Sequence, residues 1–108
     1  MQPCSSESPS AIDAVLAPGR AVLRLVVRNH AGVMSHVCGL FARRVFNVEG
    51  ILCLPLPDGR DSVVLLLVNE DERLEQVIKQ LCKLEDVRTV ERRPNDFAAF
   101  TSAANYLR

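Results

Sequence analysis

The sequence predicts an α+β fold: a four-stranded antiparallel sheet with two helices on one face, in the order βαββαβ. Three observations predict it. Apolar residues alternate with period two over Ala21–Arg28 and then switch to helical period over Val33–Phe46. A Pro57-Asp58-Gly59 turn joins two apolar runs, the chemistry of a hairpin. A second amphipathic pattern, Leu74 to Leu84, leads into a short polar strand. Together these give the ferredoxin-like arrangement, with the first and third strands central.

Each element has its own reason. In Ala21–Arg28, Leu23, Leu25 and Val27 share one face, and Arg24 and Arg28 lie on the other. In the first helix, Val33, Met34, Val37, Cys38, Phe41 and Val45 form an apolar stripe, while Ser35, Arg43 and Arg44 lie away from it. Gly39 costs mid-helix about 1 kcal/mol against alanine, so it is either a point of close backbone approach or a tolerated surface glycine. Asn47 follows, a residue suited to the left-handed conformation that ends many helices. Val48–Leu56 reads as a strand kept to an edge by Pro55. Ser62–Val68 is apolar after its first residue, the pattern of a central strand. Asn69 is placed as N-cap of the second helix, with Glu72 completing a capping-box-like pair. Leu74, Val77, Ile78, Leu81 and Leu84 form that helix's buried face, and Asp86–Arg92 reads as an edge strand.

The domain reading follows: a flexible N-terminal tail over 1–20, the folded domain over 21–93, and a C-terminal tail over 94–108 that can take up helix. That last tail holds Phe97, Phe100 and Tyr106, three of the five aromatic residues, and either folds back or docks on a partner.

Composition narrows function. At 108 residues the chain is long enough for a real core without staples. Thirteen basic against thirteen acidic residues argue against a duplex nucleic-acid binder. The longest apolar run, Val63–Val68, is far too short to span a bilayer, and Met1–Gly19 lacks the features of a secretory signal, so a cytoplasmic location is expected. Cys4, Cys38, Cys53 and Cys82 show no clustered spacing and read mainly as small core hydrophobes. His30 and His36 have no cysteine or carboxylate at ligand spacing, so no metal site is expected.

The central strands carry no aromatic residue for stacking on RNA bases, and the first loop has neither paired cysteines for a soft metal nor an arginine after Arg28 for phosphate. No activated nucleophile or titratable cluster suggests catalysis. What remains is ligand binding in the polar loop Asn29-His30-Ala31-Gly32 and the start of the helix after it. A helix N-terminus suits a carboxylate, a glycine permits close approach, and an asparagine oxygen can accept from an ammonium.

The stretch from Asn29 to Glu49 fits N-x-x-G-V-(L/M)-x-x-V-x-G-L-F-x-x-R-x-(F/Y)-N-(I/V)-E. In this it resembles the ACT domain of the regulatory (small) subunit of acetohydroxyacid synthase, also called acetolactate synthase, in its short valine-sensitive form. The resemblance covers roughly Val22 to Arg92. It implies a non-catalytic protein that forms a homodimer, binds valine at the dimer interface, mediates feedback inhibition and activates a large catalytic subunit in branched-chain amino acid biosynthesis. It implies no cofactor here, with thiamine diphosphate, magnesium and FAD on the large subunit. The implied valine contacts are Asn29, Gly32, Val33 and Met34, with Asn47 and Val48 from the neighbouring chain. A free-standing amino-acid-sensing ACT protein with another partner, and a purely structural dimerisation module, are the alternatives.

Overall fold

The computed structural model describes residues 19–107. Cys4 and nearly all of the N-terminal tail lie outside them. Four strands, β1 (Arg20–Arg28), β2 (Val48–Pro55), β3 (Asp61–Asn69) and β4 (Val87–Arg92), form one antiparallel sheet in the order β2-β3-β1-β4. The first and third strands are central, as predicted. Helix α1 (Val33–Arg43) joins β1 to β2, and α2 (Leu74–Cys82) joins β3 to β4.

The period-two alternation of β1 becomes the core floor. Leu23, Leu25 and Val27 are fully buried, together with Val64, Leu66 and Val68 of β3. Val37 and Phe41 of α1 and Leu74, Val77 and Leu81 of α2 close over them. The turn at 57–59 forms as its chemistry requires: Asp58 Oδ1 accepts from the Arg60 amide at 2.9 Å, and Leu56 carbonyl accepts from Gly59 at 2.9 Å.

Three expectations fail locally, each for a physical reason. First, α1 stops at Arg43 and the left-handed residue is Val45 (φ 52°), not Asn47. Phe46 N–H donates to Phe41 carbonyl at 2.9 Å and Val45 N–H to Ala42 carbonyl at 3.1 Å, the two bonds of a Schellman ending. The Phe41 and Phe46 rings meet edge-on at 5.9 Å, the apolar contact that accompanies it. Turning Phe46 inward throws Val45 outward, so Val45 is 83% exposed instead of part of the stripe. Second, Asn69 ends β3 and does not cap α2. An Asx turn starts the helix instead, with Asp71 Oδ1 accepting from the Arg73 amide at 2.8 Å. Third, Cys38, Cys53 and Cys82 are exposed rather than core residues. Cys38 and Cys82 sit on the outer sides of their helices and Cys53 on an edge strand, places periodicity alone places poorly. Among the described residues no backbone from another element comes within 4 Å of where a Gly39 Cβ would stand; the Arg43 guanidinium lies 3.4 Å away.

The C-terminal segment folds back. A short 3-10 turn (Pro94–Asp96) leads into α3 (Phe97–Leu107), which lies on the sheet face opposite α1 and α2. Phe100 packs with Val22 and Leu67, and Phe97 flanks them. Tyr106 and Leu107 remain 88% and 79% exposed.

Candidate functional site

The loop between β1 and α1 is held from two sides. Asn29 N–H donates to Arg60 carbonyl (2.9 Å) and its Nδ2 to Gly59 carbonyl (3.0 Å), tying the loop to the β2–β3 turn. On the other side, Arg28 N–H donates to Asp86 carbonyl at 2.8 Å. The side-chain bond commits the Asn29 amide nitrogen and leaves Oδ1 as an acceptor.

Gly32 is the N-cap of α1 at φ 89°, in the left-handed region. Among the described residues nothing lies within 4 Å of where its Cβ would stand, so the space above it is open. Gly32 carbonyl accepts from His36 N–H at 3.1 Å and His30 carbonyl from Val33 N–H at 3.4 Å, whereas the amides of Met34 and Ser35 have no backbone partner among the described residues. Two such N–H groups beside open space, at the positive end of the helix dipole, form an anion-binding arrangement. Val33 itself is 6% exposed and faces the core, so its backbone is what it offers; Met34 is half-buried against the core.

The remaining residues lie elsewhere in the chain. Asn47 and Val48 follow the far end of α1, whose 11 residues span about 16 Å. Asn47 Nδ2 donates to the Glu49 carboxylate, again leaving an amide oxygen as acceptor. Val48 opens β2 beside a bulge at Glu49, because Val48 opposes Val68 while Gly50 opposes Leu67. Within one chain, therefore, the six residues do not converge. They fall into two groups, one at each end of the same helix.

A third group was not legible in the sequence. Asp86, in the turn between α2 and β4, lies 2.8 Å from His30 Nε2 and 3.6 Å from His36 Nδ1, which supplies the carboxylate that local spacing had excluded. Arg28 is 4.0 Å from the same carboxyl group. The hydrogen bond to Asp86 and another from Nδ1 to Ala31 carbonyl at 2.6 Å raise the His30 pKa above its usual 6.5. Both ring nitrogens face acceptors, and only the imidazolium donates from both. Asp86 is correspondingly held below the usual carboxylate value, chiefly by its bond to His30. No local signal links these residues; the sheet topology joins them.

A family model described as "AHAS small subunit-like ACT domain" matches residues 23–89, ending before α3 begins. The chain is 59% identical over 86 residues to the acetolactate synthase isozyme 1 small subunit of Escherichia coli (strain K12), covering 80% of this chain and 90% of that one. It is 38% identical over 72 residues to the isozyme 3 small subunit of the same organism, covering 66% and 44%. Among solved structures it matches the acetolactate synthase small subunit of Thermotoga maritima with a TM-score of 0.63 and 34% identity, over 69% of this chain and 48% of that one. The chain thus spans about half the length of that structure.

Proposed function

The chain belongs to the family of AHAS small subunit-like ACT domains, and from that premise we propose that it is a non-catalytic regulatory subunit of acetohydroxyacid synthase that binds valine between two copies of itself. Asn29, Gly32, Val33 and Met34 form one half of the site. Asn47 and Val48 of a second copy form the other. The valine carboxylate is received by the free amides at the start of α1, its ammonium by asparagine oxygens, and its side chain by Met34 and Val48. The observation that carries this reading is Gly32: a left-handed N-cap with, among the described residues, open space above it and two amides after it that have no backbone partner.

The separation of the half-sites by the length of α1 supports a dimer. So does β2, the edge strand that carries Val48, with Ile51 43% and Leu54 65% exposed along it. An unpaired apolar edge is suited to pairing with a second copy. Bound valine would then favour one dimer arrangement, and the large catalytic subunit would read that difference as feedback inhibition. Thiamine diphosphate, magnesium and FAD belong to the large subunit in this reading. One methylene in such a pocket discriminates by about 1–3 kcal/mol, so valine is preferred to leucine or isoleucine only by a limited factor.

The test is Gly32→Asp in the enzyme reconstituted with its catalytic subunit. A carboxylate placed where the ligand's own should sit abolishes valine inhibition and leaves assembly intact. Unchanged inhibition would sink the proposal.

A further inference from the structure

A neutral imidazole donates from one ring nitrogen only, and a carbonyl or carboxylate oxygen only accepts. Both nitrogens of His30 face such oxygens: Nε2 lies 2.8 Å from Asp86 Oδ2 and Nδ1 lies 2.6 Å from the Ala31 carbonyl. The imidazolium satisfies both at once, and loss of its proton leaves a lone pair against one of them. If that partner is Ala31, the strained group is the peptide that leads into Gly32, the left-handed N-cap of α1. If it is Asp86, the loop loses its side-chain tie to the α2–β4 turn. His30 also holds the first residue of α1, because its carbonyl accepts from Val33 N–H at 3.4 Å.

The same Asp86 oxygen stands 3.6 Å from Nδ1 of His36, in the first turn of α1. One carboxylate thus reaches the residues on either side of Gly32 and of the Met34 and Ser35 amides. The charges around it are unequal. Arg28 at the end of β1 lies 4.0 Å from Asp86, so with His30 protonated two cations share one anion. Asp61, opposite Arg28 on β3, is engaged by Arg88 of β4 at 2.8 Å. The β2–β3 turn brings Arg60 and Asp58, the latter engaged by the Arg60 amide at 2.9 Å, and Glu85 beside Asp86 is exposed. We propose that His30, positioned by Asp86, makes effector binding depend on protonation: the imidazolium form holds the Gly32 amides in place for the valine carboxylate, and the neutral form binds valine more weakly. The proposal rests on the effector reading above and adds its regulation by pH. The hydrogen bonds that raise the His30 pKa bring this change toward neutral pH.

The experiment titrates valine into the full chain at several values between about pH 5.5 and 8.5, following the Gly32 and Met34 amides and the His30 ring protons. Free valine is a zwitterion throughout, so the profile reads the protein. Valine is expected to bind at least about threefold more tightly at the acid end, and to raise the His30 midpoint by the same factor, about half a pH unit. Asp86→Asn should move the His30 midpoint and the affinity profile together to lower pH, and His30→Gln should flatten the profile. Valine binding that does not change with pH overturns this proposal and leaves the effector reading standing. No valine shift at any pH removes both. A profile that survives in His30→Gln, or a uniform loss of affinity in Asp86→Asn with the profile unmoved, also overturns it. If a variant fails to fold, the valine-induced change in the His30 midpoint of the unaltered chain decides: a rise supports the proposal and no change overturns it.

Discussion

Val45 is the residue whose conformation departs furthest from sequence expectation. A β-branched residue in the left-handed region is strained by about 1–2 kcal/mol, whereas glycine there gives up about 0.5–1 kcal/mol through its freer unfolded chain. Val45 is mostly exposed, so little packing offsets the difference. Val45→Gly is therefore expected to raise stability by about 0.5–1 kcal/mol in urea denaturation; a loss would show that the side chain makes an interaction that compensates. Asn47 looked the natural residue for that conformation, yet the Phe41–Phe46 contact decides which position turns. The His30–Asp86 pair gives a second expectation at this scale. His30 is raised, so its contribution is complete below about pH 6.5 and is lost as pH rises through its folded value. Asp86 is lowered, so its contribution is present above its usual 3.8 and is lost as pH falls through its folded value. The loop is thus tightest between about pH 4 and 6.5. An NMR titration should place the His30 midpoint above 6.5, and Asp86→Asn should bring it down. A midpoint indifferent to that change would remove Asp86 as the cause.

At the scale of elements, the strands and both core helices were legible because each buries one face and so carries a period. Leu23, Leu25 and Val27 on β1, and Leu74, Val77 and Leu81 on α2, bury as their spacing requires. What periodicity could not place were the three cysteines, which occupy apolar-looking positions on exposed sides, and α3. The sequence of α3 is apolar nearly all round, so no stripe announced which face would dock. Gly50 explains its seat: a Cβ there would stand 3.0 Å from Phe100 Cε1 and 3.4 Å from Leu67 Cβ. Contacts this tight require the neighbour to give by a few tenths of an ångström, and β2 is pinned by its ladder to β3, so Phe100 is what must move. Gly50→Val is expected to unseat α3 and speed amide exchange over 97–107, with β1 and β3 keeping their protection. Undiminished protection of α3 would mean that Phe100 is not its anchor. The cross-links of Arg92 to Glu70 (2.7 Å) and Glu75 (2.6 Å) tie β4 to the β3–α2 loop and to α2 at the surface, where such pairs contribute at most about 1 kcal/mol.

For the whole molecule, the lesson lies in what one chain cannot do. The polar loop, the glycine and both asparagines stood out in the sequence as candidate ligand contacts, and the fold places them in two groups at opposite ends of α1. Only the motif from Asn29 to Glu49 joined them beforehand, because the physics of a single chain gives no reason for residues at opposite ends of a helix to share a ligand. In the proposed dimer the reason is a second copy, which the edge strand β2, with Ile51 and Leu54 exposed along it, is suited to receive. The central claim is therefore that the two ends of α1 respond together to one ligand. It is tested most directly by titrating valine into the chain and following amide shifts. Saturating shifts at Gly32 and Met34 and at Asn47 and Val48, all with one midpoint and with the mass of a dimer, are the expected result. Shifts at neither end, or at one end only in a monomer, would contradict it.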